Sequence, residues 1–422
     1  MAQSKQNIAI IGTGISGLAA AALLHPHHTV TVYEKNDYIG GHARTRRIHY
    51  GHKAIDVDTG FIVFNHRTYP LLTALLKYLD VPTQKSVMSF GVTSEVDDLE
   101  WSAESPKALF GQHRNLWRPA FYRFLFDIIR FNYSAVKAAH ANPDMTLGDL
   151  ITHMGLSDWF RRYYILPMGG AIWSCSLTAI LSFPATFFVD FFEAHGLLTV
   201  TNQPQWYTVT GGSQVYIDKL TASFKDRIHL SCAATAVTRS DDLVRVTDIN
   251  GRTLTYDDVI FAGHADETLA ILKDATVEER SVLGAFRYQQ NTAILHNHTA
   301  LMPKRQSCWA SWVYHAEPTP TQDPISVTYW MNHLQQIDPT CPLFVTLNPR
   351  TPIPQSATFE SHVFDHPIYN PAAVAAQAIL PRLQGVKHSW FCGAYHRNGF
   401  HEDGLASAVD IATRMGVTPP WK

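Results

Sequence analysis

"NIAIIGTGISGLAAAALL", residues 7–24, runs a short apolar segment into a cluster of glycines and then into strong helix formers. Ile8–Ile11, bounded by Gly12, has the texture of a buried parallel strand. Ile15–Leu24 predicts a helix, because Ala and Leu lose little freedom in one. "HTVTVYEK" (28–35) then returns as a second strand, so a β-α-β unit begins near residue 7. The join is Gly12-Thr13-Gly14-Ile15-Ser16-Gly17, a G-x-G-x-x-G pattern with Glu34 at the end of the following strand. Such a join binds dinucleotides for physical reasons. Gly12 permits the tight turn, and Gly14 lets the backbone approach a pyrophosphate at a helix N-terminus, where free N–H groups and the dipole favour anions. Gly17 lets helix and strand pack closely, and Glu34 can accept hydrogen bonds from a ribose. These features suit a nicotinamide and a flavin dinucleotide equally.

The next stretch, "YEKNDYIGGHARTRR" (33–47), separates the two. Gly40 and Gly41 follow Lys35 closely, and His42, Arg44 and Thr45 come directly after them. A second glycine pair lets another loop cross near the cofactor, and an arginine can meet phosphate charge. A plain nicotinamide dehydrogenase has no need of this element.

At 422 residues the chain predicts two or three interlocked domains, and its 46% hydrophobic and 17% charged residues are those of a globular protein. A formal charge of −2 gives no global attraction to nucleic acid, so any membrane contact must be local. Five scattered cysteines without a C-x-x-C argue against both a disulfide framework and a zinc site. "MAQSKQNIAIIG" enters a strand too soon for a signal peptide, and no run of about 18 apolar residues is present. The expectation is a cytoplasmic protein. "HPHH" (25–28) reads as a solvated turn broken by Pro26, and His362 and His366 flank a loop-like "VFD" before Pro367. No metal site is expected.

Further along, "YPLLTALLKYLDV" (69–81) has helical spacing, and residues 107–200 are dense in aromatics and arginine in patterns that predict a helical insertion. "QWYTVTGGSQVYIDKL" (205–220) reads as strand, glycine turn and helix. Residues 227–263 read as several strands with a hairpin at Asn250-Gly251, and 266–286 as helix. A mixed sheet with proline-rich loops follows over 288–365, then a helix at 372–383, a strand and a last helix opening at Glu402-Asp403-Gly404. This order describes one discontinuous domain interrupted by another.

Four separated motifs now resemble the flavin-dependent amine oxidase and phytoene desaturase superfamily, over nearly the whole chain. They are the paired glycine elements with Glu34, "VDTGFIVFN" (57–65), "VTGGSQVYIDKL" (209–220) with "AATAVTR" (233–239), and "FCGAYHRNGFHEDGLASA" (391–408). The resemblance implies FAD and an α/β fold: a discontinuous Rossmann-like, glutathione-reductase-type FAD domain, a mixed-sheet substrate domain and a helical insertion. The expected boundaries are 1–80, 205–270 and 385–422 for the FAD domain, with 81–204 and 271–384 for the substrate domain. It implies that Asp58, Gly60 and Phe61 lie beside the flavin ring, with Gly211 and Gly212 in the family's Gly-Gly turn. Val237 would meet the adenine side through its backbone. Gly393, Glu402, Asp403 and Gly404 would lie toward the pyrimidine edge. The family commonly has arginine directly after the paired glycines. Here His42 stands there and Arg44 two residues on, which leaves both as phosphate candidates.

Amine oxidases of this superfamily place a lysine near the flavin, and among Lys273, Lys304 and Lys387 only Lys304 is a positional candidate, in a loop-like setting. His401 stands near the family's aromatic cage position, where it is either an acid–base group or a structural histidine. Phe121, Phe124, Leu125, Ile128 and Phe131 fall at helical spacings with Arg118, Arg123 and Arg130 interleaved. They predict either a buried face or an apolar mouth with arginines at an anionic headgroup or membrane surface. The chain looks most like a bacterial branch of FAD oxidoreductases that accompany cyclopropane-fatty-acid-synthase-like methyltransferases. That resemblance implies a lipid or fatty-acyl substrate, a methyltransferase partner and chemistry at a carbon–carbon bond, while peripheral membrane contact is expected from the second reading of the insertion. The reaction would be desaturation, redox-neutral double-bond isomerisation or, more weakly, amine oxidation.

Overall fold

A computed structural model describes residues 5–199, 203–316 and 323–421. The opening four residues and the proline-rich stretch at 317–322 lie outside the described residues.

Three separated segments build one parallel sheet of five strands, in the order Ile228–His229, Thr29–Tyr33, Asn7–Ile11, Asp258–Phe261 and Ser389–Phe391. Its inner strands are apolar on both faces, and Ile8, Ala9, Ile10, Val259, Ile260 and Phe261 are wholly buried. Both faces must therefore be covered. The helix Ile15–Leu24 covers one of them and buries every residue but Ala22. The C-terminal helix His401–Arg414 packs beside it, and Gly404 makes this possible, because a Cβ there would lie 2.8 Å from both Ile15 and Ser16. Burying each large apolar side chain in this layer contributes roughly 1.5–3 kcal/mol.

The substrate half is a mixed sheet of seven strands. Its order is Thr358–Ile368, Arg287–His296, Phe344–Leu347, Val327–Trp330, Trp312–Ala316, Phe90–Ser94 and Leu99–Ser102. Only the pair Trp312–Ala316 with Phe90–Ser94 is parallel. The "VFD" segment, expected as a loop, belongs to the long edge strand Thr358–Ile368, and Pro367 pairs opposite Tyr288. An edge strand tolerates proline, since one side of its ladder is unpaired. The period of two then places His362, Phe364 and His366 on one face.

The insertion is helical, with the long helix Pro119–Ala141 followed by Leu147–His153, Leu166–Trp173, Leu177–Leu181 and Ala185–Ala194. Phe121, Phe124 and Phe131 are fully buried and Leu125 and Ile128 half-buried, so this stripe is a packed face rather than an open mouth. Its arginines serve the fold: Arg123 pairs with the buried Asp127 at 3.2 Å, and Arg130 donates to the carbonyl of Met154.

Residues 40–66 contain a hairpin, Thr45–Tyr50 with Lys53–Asp58. Two other expectations differ from the structure. Residues 266–286 form two helices, Ala265–Ile271 and Val277–Leu283, because Thr276 and Glu279 make a capping box that starts the second afresh. In "HPHH", Pro26 and His27 are exposed, but His28 is buried with Nδ1 facing the backbone N–H of Gln6 at 3.3 Å. All five cysteines are free thiols, and among the described residues no cluster of three potential ligands is arranged to hold a metal ion.

Candidate active site

The cradle forms at the carboxyl ends of the parallel strands, where such sheets bind ligands. Gly12 turns at φ +109°, and a Cβ on it would sit 3.0 Å from the carbonyl oxygen of Ala262. A Cβ on Gly17 would sit 2.0 Å from the oxygen of Gly12, so only glycine lets the helix lie this close to its own strand. Gly14 is different: a Cβ there would meet nothing within 4 Å. Open space thus lies above the start of the helix Ile15–Leu24, whose N-terminus carries no side-chain cap. Free N–H groups in the first turn and the positive dipole end face that space. Gly41, at φ +59°, crosses beside it, its Cβ position only 3.1 Å from the Cα of Gly14. An uncapped helix end under two glycine loops fits a dinucleotide pyrophosphate. The N-terminus of His401–Arg414 adjoins through Gly404, bringing a second helix dipole to the cleft.

Glu34 is buried at the strand end, as a ribose acceptor must be, yet its carboxylate is occupied by its own chain. One oxygen accepts from the Thr13 backbone N–H at 2.9 Å and from the Thr13 hydroxyl; the other accepts from Asn36 N and Nδ2, both at 2.8 Å. All four acceptor sites are filled, so a ribose diol would enter by displacing a side-chain donor. Lys35 forms an ion pair with Glu267 at 2.5 Å across the strand ends.

The two phosphate candidates go different ways. Arg44 is buried and engages Glu360, the hydroxyl of Thr59 and the ring of Tyr38. It shares the Glu360 carboxylate with Arg46, which pairs with it at 2.7 Å. His42 instead enters a cluster of rings, its centroid 4.9 Å from Phe364, 5.2 Å from His366 and 6.3 Å from His264. His264 in turn stacks on Tyr288 at 4.3 Å. Burial, reinforced by His366 and His264, holds the His42 imidazole well below its ordinary value, and burial pushes His366 down to about 4. The cluster is a neutral, ring-lined wall.

His401 lies flat on Phe61, ring centroids 3.9 Å apart and planes 10° apart, and its Nε2 shares a 2.7 Å hydrogen bond with the hydroxyl of the fully buried Tyr216. Burial lowers its pKa to about 3, so it is a neutral imidazole at ordinary pH. Phe61 is held in turn by the Gly60 crossing: its N–H donates to the carbonyl of His42 at 2.7 Å, and a Cβ on Gly60 would lie 2.2 Å from that same oxygen.

Several expected residues act on the cradle's frame. Asp58 accepts from Ser213 N at 2.9 Å and from the hydroxyls of Ser213 and Thr45 at 2.8 and 2.6 Å. It ties the hairpin to the Gly211-Gly212 turn, and burial lifts its pKa to about 6. Glu402 caps the helix Pro70–Tyr78, accepting from Leu71 and Leu72 N–H at 2.8 and 2.9 Å. Asp403 reaches back to the N–H of Phe400 at 3.0 Å, and burial raises it to about 6. Gly393 donates its N–H to Ser407, and the carbonyl of Val237 accepts from Lys273 N. Lys304 is 83% exposed and faces Glu95 at 3.7 Å, on the surface.

The wall residues His264, Tyr288, Phe364 and His366 were missed as site residues, as was Tyr216. His264 carried a signal, since it closely follows the strand Asp258–Phe261 at a carboxyl end. The others arrive from distant strands and helices.

The chain shares its fold with enzymes of known structure. Cyclohexylamine oxidase from Brevibacterium oxydans IH-35A superposes with TM-score 0.70 at 16% identity, over 98% of this chain and 100% of the other. A CLA-producing fatty acid isomerase from P. acnes gives 0.68 at 16% identity, covering 98% and 99%. Wild-type putrescine oxidase bound to putrescine gives 0.67 at 13% identity, covering 98% and 99%. No curated protein matches the sequence significantly. The sequence pattern of the flavin containing amine oxidoreductases matches residues 15–296, two thirds of the chain. With a fitting cradle, the shared fold and that match together, the chain belongs to the flavin containing amine oxidoreductase family and is an FAD-dependent oxidoreductase.

Proposed function

We propose that the protein removes hydride from a carbon–carbon bond of a lipid or fatty-acyl chain. The carrying observation is the apolar aromatic wall between the insertion and the helix that opens at His401. Trp173 lies 4.8 Å from Phe191, Phe191 stacks on Phe400 at 5.0 Å, and Phe187 stacks on Tyr369 at 5.3 Å. Phe400 is the residue next to His401, so the wall reaches the proposed ring site. Apolar rings bind hydrocarbon by taking it out of water. The lysine of amine oxidases also has no equivalent in the cleft, since Lys273, Lys304 and Lys387 are all exposed.

FAD, when bound, supplies the two-electron acceptor. The protein's own task is to hold the chain, exclude water and take a proton from the neighbouring carbon. The groups available for that task are weak: His366 and His401 have pKa values of about 4 and 3. That weakness favours a second reading, redox-neutral isomerisation, in which hydride returns to a different carbon and no strong base is needed. Such chemistry is compatible with the fold, which a fatty acid isomerase shares.

Anaerobic mixing with saturated and unsaturated fatty acids tests both. Bleaching of the flavin spectrum with a product two mass units lighter supports dehydrogenation. An unbleached flavin with a product of unchanged mass supports isomerisation. Rapid bleaching by a polyamine overturns the lipid reading. Absence of turnover with every lipid, with a co-purifying methyltransferase, assigns the protein a partner role instead.

A further inference from the structure

The long helix of the insertion has a second apolar face, and it points outward. Tyr122, Phe126, Ile129 and Tyr133 are 49%, 55%, 49% and 87% exposed, and Trp117, just before the helix, is 85% exposed. The intervals of four, three and four place them on one stripe about 16 Å long. The inward stripe of Phe121, Phe124 and Phe131 is fully buried, so the outward one is surplus to the packing of the fold. Folded monomers seldom leave a contiguous aromatic stripe in water without a use for it.

The charges beside the stripe point to what covers it. Between Lys107 and Ala141 stand six cations and one acid, in a chain whose formal charge is −2. The acid, Asp127, is fully buried against Arg123 and accepts the N–H of Ser157. Arg123, Arg130 and Lys137 line one edge of the stripe by helical spacing, and no acidic side chain of this helix reaches its surface. At the head of the helix Trp117, Arg114, Arg118 and Trp159 line a groove of about 470 Å³ with Asp97. There Arg114 and Arg118 share Asp98 at 2.8 and 3.8 Å. On the helix Arg123 and Arg130 share the one buried acid, Asp127, so one charge of that trio and the charge of Lys137 stay unbalanced along the stripe.

We infer that this face docks on an anionic lipid bilayer, with the helix lying in the interfacial plane. Trp and Tyr favour that plane, where an apolar ring and a polar tip are both served, and flanking Lys and Arg meet anionic headgroups. A second copy of the chain fits less well, because stacking the stripe on itself brings the cationic edges of two copies together. Among the described residues no helix is long and apolar enough to cross a membrane, so the contact would be peripheral. Docking stands independently of the substrate reading, and its test involves no turnover.

The experiment is sedimentation of the flavin-loaded protein with vesicles of phosphatidylcholine alone or mixed equally with phosphatidylglycerol. Binding to the mixed vesicles should exceed binding to the neutral ones about tenfold or more and weaken in high salt. A Phe126→Ser/Tyr133→Ser variant should keep its flavin spectrum and melting temperature yet lose about tenfold or more in vesicle affinity. Lys137→Glu, on an exposed side chain, should lose about fivefold or more. The inference is overturned if the wild type stays in the supernatant with both vesicles, or if the double variant binds unchanged. Equal, salt-independent binding to neutral vesicles overturns it too. So does a concentration-dependent dimer, abolished by the double variant, in a protein that ignores vesicles.

Discussion

The nucleotide cradle and the helical insertion are held together by different quantities. In the cradle the limiting quantity is backbone clearance: a Cβ would lie 2.0 Å from another atom at Gly17, 2.3 Å at Gly40 and 2.2 Å at Gly60. In the insertion it is side-chain packing, with rings such as Phe188 and Phe192 at 4.2 Å and Trp173 and Phe188 at 5.6 Å. Clearance fails all at once, because covalent geometry does not yield. Packing fails by degrees, because neighbours relax into part of the space. The cradle therefore writes its requirements into single residues, and the insertion spreads its requirements over many.

The largest effect is expected of Gly17→Val. It should abolish soluble, flavin-bearing protein, as judged by expression and visible absorbance, since the helix cannot stand off its strand. Gly14→Ala sharpens the same point from the other side. With nothing within 4 Å of its Cβ position, this variant should fold with an unchanged melting temperature but bind FAD about tenfold or more weakly by equilibrium titration. If Gly14→Ala also fails to fold, the space above Gly14 is not a cofactor space.

In the insertion, Phe188→Ala should cost about 3–5 kcal/mol in denaturant unfolding and leave the flavin spectrum in place. A loss of flavin together with that stability would show the two regions to be coupled more tightly than their packing suggests.

A subtler separation comes from pH. Burial depresses His195, His296, His315, His366 and His396 to about 4 and His401 to about 3, each from 6.5. A depressed histidine stabilises the fold above its unfolded value, and this is lost as pH falls toward the folded value. Burial raises Asp58 and Asp403 from 3.8 to about 6, which acts in the opposite sense, favouring the fold as pH falls through about 6 toward 3.8. Six histidines outweigh two aspartates, so the melting temperature should fall by more than about 10 °C between pH 6.5 and 4. A melting temperature that rises over that interval would mean that the histidines are solvated or charged in the fold.

The smallest effect is expected at Lys304→Ala. An exposed pair at 3.7 Å contributes under about 1 kcal/mol, and the side chain lies on the surface, so turnover and melting should be unchanged. A tenfold fall in turnover would restore it as an active-site lysine and revive amine oxidation.

The same division explains what could be read in advance. Gly12 and Gly17 announce the cradle because each meets a backbone clearance that few residue types can meet, and Gly14 and Glu34 stand with them at spacings set by one strand and one helix. The Gly40-Gly41 pair and the opening of the last helix at Glu402-Asp403-Gly404 were legible for the same reason. The wall was not legible: His42, His264 and His366 are more than a hundred residues apart in places, and only the pairing of Thr358–Ile368 with Arg287–His296 sets His362, Phe364 and His366 facing the cleft. Arg44 could not be assigned either, since its partner Glu360 arrives from that same distant strand.

By itself, then, the chain's order of residues determined a discontinuous dinucleotide fold, the pull toward FAD and the aromatic character of its insertion. Tertiary structure alone decided which faces of those aromatics are covered. Phe121 and Tyr122 are neighbours of similar bulk, one fully buried and one half in water, and helical rotation against a packed core is what separates them. Periodicity can reveal that a helix has two apolar stripes, but only packing shows which stripe the core has taken and which is left for something else.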